Sequence, residues 1–175
     1  MAKKKGYVKL MNISCFGGCW ADDKYYAEVY NFIKSVFKDK KVKLITGGTI
    51  GVMDAIGKGA SENNIQVIGV SLEKWKNYLN KYNTEVVLFD DANEQGRVRY
   101  MLDNADAFIV FDGDLGTYEE MFSAWLHSRF TNKKIYVLGK EMQDSISYLL
   151  NKNYIFKDCR DNIVFCNYNN FKLEE

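Results

Sequence analysis

Residues 41–61 read KVKLITGGTIGVMDAIGKGAS and contain a strand, a turn and a helix in succession. Lys41–Thr46 is rich in residues that favour strands, and Val52–Ser61 is predicted to be helical. The turn between them is crowded with glycine, which lets the backbone approach a ligand closely and adopt positive φ. The N-terminus of the following helix offers unpaired N–H groups and a partial positive charge. This unit therefore predicts an α/β fold with a phosphate-binding turn.

The same order of strand and helix continues along the chain. Strands are predicted at Tyr7–Phe16, Lys41–Thr46, Gln66–Ser71, Glu85–Phe89, Ala107–Phe111 and Lys134–Leu138. Helices are predicted at Asp22–Phe37, Val52–Ser61, Leu72–Leu79, Glu94–Asn104, Tyr118–Arg129 and Met142–Leu150. This alternation predicts a doubly wound, mostly parallel sheet with helices on both faces. No linker or internal repeat divides the sequence, so residues 1–175 are predicted to form a single domain.

The composition excludes several broad classes of function. The formal net charge is +1, so no overall charge attracts nucleic acid or an anionic membrane. No apolar run approaches the roughly 18–20 residues of a membrane span, and the start lacks the apolar segment of a signal peptide. The four cysteines lack the C-x2-C spacing of zinc sites. We therefore expect a cytoplasmic protein with no membrane or nucleic-acid partner, no metal and no cofactor.

Three glycine-containing turns follow predicted strands: residues 16–19 follow the first strand, 46–54 the second and 112–120 the fifth. In a doubly wound sheet, ligands bind at the carboxyl ends of the strands, near the point where strand order reverses. A single glycine turn often serves only to leave a strand. Three such turns at one edge favour a bound phosphate group, so we predict a nucleotide-like, phosphorylated ligand there.

Two charged residues near these turns have ordinary structural explanations as well as functional ones. Arg97 precedes Met101 by one helical turn, and an arginine on a helix usually faces solvent, with Arg99 an equal candidate for any role. Thr117 and Glu120 have the spacing of a capping box, in which the glutamate bonds a backbone N–H at a helix start. The spacing alone favours a cap over catalysis for Glu120.

Two longer segments resemble Lonely Guy-type proteins, a superfamily long labelled lysine decarboxylases. TGGTIGVMDAIGKGA at 46–60 resembles their GG-x-x-G-[LV]-M segment, and RVRYMLDNADAFIVFDGDLGTYEE at 97–120 resembles their R-x-x-x-M and PGG-x-GT-x-x-E segment. The resemblance implies a Rossmann-like fold and a homodimer or higher homo-oligomer. It also implies hydrolysis of a nucleoside 5′-monophosphate to free base and ribose 5-phosphate. Thr46 replaces the first glycine of the GGG form, as in relatives thought to carry molybdenum cofactor.

The resemblance places the catalytic arginine of the family on Arg97 and its catalytic glutamate on Glu120. A carboxylate suits N-glycosidic cleavage, because it stabilises an oxocarbenium-like transition state or activates water. An arginine can hold the phosphate and so fix the ribose. The residues predicted to bind the ligand or its phosphate are Gly17, Gly18, Gly47, Gly48, Thr49, Gly51, Met53, Gly113, Asp114, Gly116 and Thr117.

The 112–117 turn departs from the family pattern, since Asp112 stands in place of proline and Asp114 in place of a glycine. A carboxylate about 6 Å from a phosphate costs on the order of 3 kcal/mol at an effective dielectric of about 20, or about a hundredfold in affinity. Either these carboxylates point away, or Arg97 or Arg99 pairs with them, or the ligand is not a simple monophosphate. Asp112 could also replace the acid that protonates the leaving base. The departures motivate a second interpretation, a non-catalytic carrier, sensor or sequestering protein for a nucleotide-derived ligand.

Aromatic residues leave two further questions open. Phe122, Trp125 and Phe130 share one predicted helix, where they belong either to the core or to a dimer seam. The base of the ligand has no contact that can be assigned from sequence, although Trp20 and Met53 lie close to the glycine turns.

Overall fold

The computed structural model describes residues 10–152 and 157–174. Within these ranges the strands are β1 (Met11–Phe16), β2 (Val42–Thr46), β3 (Gln66–Leu72), β4 (Glu85–Phe89), β5 (Ala107–Val110), β6 (Ile135–Val137) and β7 (Ile163–Phe165). The helices are α1 (Asp23–Val36), α2 (Val52–Ser61), α3 (Glu94–Asp103), α4 (Leu115–Thr131), α5 (Lys140–Asn151) and α6 (Lys157–Arg160), with a 3-10 helix at Glu73–Tyr78.

All seven strands lie in one parallel sheet with the order β4-β3-β2-β1-β5-β6-β7. The central strand β1 pairs with β2 on one side and with β5 on the other, so that Ile13 is opposite both Leu44 and Ala107. The strand order therefore reverses at β1, and the chain runs from β1 and from β5 to helices on opposite faces of the sheet. The prediction of a Rossmann-like, doubly wound α/β sheet is confirmed.

Two hydrophobic cores cover the two faces of the sheet. Successive strand residues point to opposite faces, so Ile13 packs in one core and Phe16 in the other. The first core contains Ile33 of α1 and Ile56 of α2, whereas the second contains side chains of α3, α4 and α5. The predicted glycine turns lie at the carboxyl edge of the sheet that separates the two cores.

Several predicted elements differ from the observed ones. The predicted first strand began at Tyr7, but residues 7–9 lie outside the described ranges and the strand is seen from Met11. Helix α4 begins at Leu115 rather than at residue 118, because Asp114 caps it ahead of the helix-weakening Gly116. The segment predicted as an amphipathic helix at 72–79 is a 3-10 helix. Strand β7 was not predicted, since three residues carry too little periodicity.

Helix α1 lies on the surface and buries a single apolar stripe. Helix α1 buries Val29, Phe32 and Ile33, and its start is capped by Asp22, which accepts a hydrogen bond from the backbone N–H of Tyr25. Along residues 10–152 and 157–174, no helix combines the length and the apolar character that crossing a membrane requires.

Candidate functional site

A cavity of about 690 Å³ lies at the carboxyl edge of the sheet. Its walls are formed by the loops after β1, β2 and β5, by the 3-10 helix and by the starts of α3 and α4. We call the loop after β1 turn 1 (17–22), the loop after β2 turn 2 (47–51) and the loop after β5 turn 3 (111–114). The lining residues are Gly17, Cys19, Gly47, Thr49, Ile50, Met53, Trp75, Tyr78, Glu94, Arg97, Asp114, Leu115, Gly116, Thr117 and Glu120. The three glycine turns therefore meet around one cavity.

Turn 2 requires glycine at two positions. Gly48 and Gly51 have φ of 75° and 73°, in the left-handed region that side chains disfavour. A Cβ on Gly48 would lie 2.6 Å from the Cα of Gly69, and one on Gly51 would overlap the backbone of Cys19. Gly51 caps α2 without a side-chain hydrogen bond, so no side chain fills the N-terminus of that helix.

Turn 2 is held in place by two asparagines that follow the 3-10 helix. The buried Asn80 donates through Nδ2 to the carbonyls of Gly48 (3.1 Å) and Thr49 (2.8 Å). Asn83 adds a hydrogen bond from its Nδ2 to the same Gly48 carbonyl, at 2.8 Å. These contacts fix the backbone of turn 2 from the side that faces away from the cavity. Asn80 and Asn83 therefore position the cavity wall without lining it.

Turn 1 ties the other two turns together through its backbone. The N–H of Gly18 donates to the carbonyl of Asp112 in turn 3 (3.2 Å), and the carbonyl of Gly18 accepts from the N–H of Val52 at the start of α2 (3.0 Å). A Cβ on Gly17 would collide with the side chain of Val52. The two glycines of turn 1 thus set the spacing between turn 2 and turn 3.

The two carboxylates of turn 3 have different surroundings. Asp112 accepts hydrogen bonds from the backbone N–H groups of Lys140 (3.0 Å) and Met142 (3.1 Å) at the start of α5, and it does not line the cavity. Asp114 lines the cavity and caps α4, where its Oδ1 accepts from the N–H of Gly116 at 3.1 Å. Its Oδ2 lies 3.8 Å from Sγ of Cys19. Asp112 therefore points away from the site, as one of the predicted alternatives had it, and Asp114 points into it.

Arg97 of α3 and Glu120 of α4 form a buried ion pair in the cavity wall. Nη2 of Arg97 lies 2.8 Å from Oε1 of Glu120, and the two residues are only 6% and 7% exposed. The guanidinium also lies over the ring of Trp75, with Cζ 5.9 Å from the centroid. Its Nε is buried and has no hydrogen-bond partner among the described residues.

These contacts resolve the structural alternatives for Arg97, Arg99 and Glu120. Arg99 faces solvent and pairs with Asp103 at 2.7 Å. Neither arginine pairs with the carboxylates of turn 3. Glu120 lies more than one turn inside α4, which Asp114 caps, so Glu120 bonds Arg97 and does not cap the helix.

Burial raises the pKa of Glu120 above the usual range of a carboxyl, and the neighbouring Arg97 opposes this shift by its charge and its hydrogen bond. The charges of Glu119 and Asp114 add to the upward shift. A raised pKa brings a carboxyl closer to the working range of a general acid or base than its ordinary value does. Among residues 10–152 and 157–174, no group of three or more His, Cys, Asp or Glu side chains is placed to hold a metal ion.

Nine of the thirteen residues predicted for the site line the cavity. The other four stand behind it as close backbone contacts: Gly18, Gly48, Gly51 and Gly113. Six lining residues were not predicted: Cys19, Ile50, Trp75, Tyr78, Glu94 and Leu115. Trp75 and Tyr78 come from a short helix whose position over the cavity has no sequence signal. Met53 lines the cavity as suggested for a base contact, whereas Trp20 does not.

Comparisons with known proteins agree with this architecture. The model of the SLOG cluster4 family matches residues 11–164. No curated protein matches the sequence.

Solved structures match over most of the chain at low sequence identity. The molybdenum cofactor binding protein of Rippkaea orientalis is 15% identical, with 93% of each chain covered and a TM-score of 0.70. The protein TM1055 is 20% identical, with 90% of this chain and 91% of that one covered and a TM-score of 0.69. DNA processing protein A of Helicobacter pylori, described by its single-stranded DNA binding mode, is 15% identical, with 92% and 78% covered and a TM-score of 0.59. At these identities the similarity shows the fold.

Proposed function

The chain belongs to the SLOG cluster4 family, and from this premise we propose that it binds a nucleoside-type ligand in the cavity and hydrolyses its N-glycosidic bond. The family match confirms the resemblance noted in the sequence, which implies a nucleoside 5′-monophosphate as substrate and free base and ribose 5-phosphate as products. Nucleosides and their 5′-monophosphates together form the class to test. The buried pair of Arg97 and Glu120 in the cavity wall carries the proposal.

In this proposal Glu120 acts on the sugar, and the charge of Arg97 favours the ionised form of Glu120 that this role requires. The carboxylate stabilises positive charge that develops on the ribose, or removes a proton from the attacking water. Burial favours the neutral acid and raises the pKa of Glu120, and the guanidinium 2.8 Å away favours the carboxylate and opposes that shift. The unpartnered Nε of Arg97 remains a donor that a ligand oxygen, of a phosphate or a hydroxyl, would satisfy.

The aromatic and apolar part of the cavity lining suits a flat aromatic base. Trp75 and Tyr78 of the 3-10 helix line it together with the apolar side chains of Ile50 and Met53. Aromatic rings stack on bases with little dependence on base identity, at about 1–3 kcal/mol per base in single-stranded nucleic-acid sites.

Incubation of the protein with a panel of nucleosides and nucleoside 5′-monophosphates tests this proposal. We expect free base from at least one of them, and a loss of about 10²- to 10⁴-fold in rate for Glu120→Gln, which removes the proton-transfer group at constant size. Glu28→Gln, an exposed change on α1 outside the cavity lining, is the control and should keep its activity. Release of no base from any compound, or full activity in Glu120→Gln, would contradict hydrolysis.

A second candidate function is the binding of a nucleotide-derived molecule without cleavage. The pairing of the charged side chains in the cavity supports it. Arg97 is already paired with Glu120, so none of the described lining residues offers an unpaired side-chain cation to a phosphate. Asp114 already occupies the start of α4. The structural neighbour from Rippkaea orientalis is a cofactor-binding protein. Mass spectrometry of the molecule that co-purifies decides between the two: a ligand recovered intact after long incubation supports a carrier or sensor, and free base supports the hydrolase.

The surface of α4 suggests the partner of this chain. Phe122, Leu126 and Phe130 follow one another at intervals of four residues and are 40%, 63% and 77% exposed, whereas Trp125 belongs to the core. We propose that this stripe forms the interface of a homodimer, since monomeric proteins rarely leave contiguous apolar patches exposed. Because the formal net charge of the chain is only +1, we retain the prediction that nucleic acid is not a partner.

A further inference from the structure

Asp114 occupies the position at which α4 could accept an anion. The first N–H groups of a helix have no partner within the helix and carry a partial positive charge. Asp114 places its Oδ1 3.1 Å from the N–H of Gly116 and so satisfies one of these groups with its own carboxylate. An anionic ligand group at this end of the cavity would have to displace that carboxylate or lie against it.

The charged residues that line the cavity also disfavour an anionic ligand group at this position. The ionisable acids and bases that line it are Glu94, Asp114, Glu120 and Arg97. Arg97 and Glu120 balance each other across 2.8 Å. The charge left without a counterion in the lining is therefore negative and comes from Glu94 and Asp114. A dianionic phosphate entering this cavity meets repulsion from both.

Two groups of the wall have unused hydrogen-bonding capacity of opposite kinds. Oδ2 of Asp114 contacts Sγ of Cys19 at 3.8 Å, and a thiol is a weak donor, so this oxygen can still accept a hydrogen bond. Nε of Arg97, a residue only 6% exposed, is a buried donor with no partner in the described parts of the chain. A ligand that complements the cavity offers a donor to Asp114 and an acceptor to Arg97.

We propose that Asp114 selects ligands whose sugar presents a hydroxyl at the start of α4, and that it excludes a 5′-phosphate from this position. The ligand class is then the nucleoside rather than the nucleoside 5′-monophosphate. A ribose hydroxyl donates to the carboxylate, and an oxygen of the sugar or base accepts from Arg97. This inference rests on the proposed function only in taking a nucleoside-type ligand, and it holds for a hydrolase and for a carrier alike.

Calorimetric titration of the four common nucleosides and their 5′-monophosphates tests the selection without requiring turnover. We expect the wild-type protein to bind at least one nucleoside more tightly than its own monophosphate. In Asp114→Asn this preference should fall by about a hundredfold, the effect of one charge pair at about 6 Å and an effective dielectric of about 20. Asparagine also caps helices well, so the fold should persist, and the melting temperature checks this. Glu28→Gln removes one charge on α1, outside the cavity, and should leave the preference unchanged.

Asp114→Gly provides a second test, because it removes the carboxylate and leaves the start of α4 open to an anion. We expect this variant to bind a 5′-monophosphate at least as tightly as the nucleoside, and inorganic phosphate should compete with the monophosphate. Equal or tighter binding of monophosphates by the wild-type protein, or an unchanged preference in both variants, overturns the selection while the proposed function stands. Preferential binding of nucleosides without release of base from any compound overturns hydrolysis and supports the selection. Binding of no member of the panel overturns both.

Discussion

The ion pair between Arg97 and Glu120 combines two opposing effects within a few ångströms. Removing a carboxylate from water penalises its ionised form, and a guanidinium at 2.8 Å compensates part of that penalty. A buried pair of this kind adds little net stability, whereas removal of one partner leaves the other charge uncompensated. The pair is therefore better explained by chemistry in the cavity than by its contribution to folding.

The raised pKa of Glu120 predicts a specific dependence of stability on pH. The folded protein holds this proton more tightly than the unfolded chain, so the contribution of Glu120 to the free energy of unfolding is complete below its ordinary pKa of 4.5. That contribution is lost as pH rises through the folded-state pKa. Glu120→Gln cannot titrate, so its free energy of unfolding should rise relative to wild type as pH increases above about 4.5.

Urea unfolding of both proteins at a series of pH values measures this difference. The subtraction removes the titration of all other carboxyls, which the two proteins share. A difference that stays flat would show that the pKa of Glu120 is unshifted. A relative gain by the wild-type protein with rising pH would show that Arg97 lowers that pKa more than burial raises it.

At the scale of elements, the approach of α1 to α2 depends on one glycine. Gly59 faces α1 so closely that an added Cβ would lie 2.7 Å from the carbonyl oxygen of Tyr30 and 2.9 Å from the Cβ of Ile33. Helix α2 begins at turn 2, so a displacement of α2 would move the wall of the cavity with it.

Gly59→Ala should therefore destabilise the protein, although alanine is the better helix former. Overpacking against backbone costs about 1–3 kcal/mol, and the gain in helix propensity is at most about 1 kcal/mol. We expect a melting temperature lower by a few degrees (about 2–4 °C per kcal/mol for a chain of this size). Ser61→Ala, an exposed change on the same helix, should have little effect. A higher melting temperature for Gly59→Ala would show that the two helices separate without loss.

The elements that sequence predicts well are those whose pattern is local. The bounds of α2 and β4 agree with prediction, because an apolar strand and a glycine turn followed by a helical period are read within about ten residues. Arg97 and Glu120 were assigned only through a family resemblance, since their contact joins two residues that lie 23 positions apart on different helices. The roles of Trp75 and Asn80 depend on where one short helix lies over the sheet, and no local pattern contains that information.

At the scale of the whole molecule, the apolar stripe on α4 lies on the same helix as Glu120 and Asp114. Residues 122, 126 and 130 are exposed, and residues 117, 120 and 121 of this helix are buried. A second copy that covers the stripe would therefore contact a helix that supplies cavity residues at its start. Assembly and ligand binding would share one structural element.

Light scattering after size exclusion tests the assembly. We expect the wild-type protein to elute with about twice the mass of one chain, since a C2 dimer is the commonest way to cover such a stripe. The double variant Leu126→Glu, Phe130→Glu should be monomeric with an unchanged circular dichroism spectrum. Tyr148→Glu places the same charge on an exposed aromatic of α5 and should remain dimeric. A monomeric wild-type protein, or a double variant that still dimerises, would contradict the proposed interface.

The backbone bonds that join the three turns have a consequence for how the molecule folds. Gly18 bonds both Asp112 and Val52, so the cavity exists only after segments almost a hundred residues apart in sequence have come together. Parallel pairing of distant segments is slow to form, and the cavity is complete only in the native state. A ligand that fills it binds the native chain and not the unfolded one, and at a hundred times its dissociation constant it stabilises the protein by about 2.7 kcal/mol. A rise in melting temperature is thus a direct signal that a compound binds the native chain, with no assumption about its chemistry.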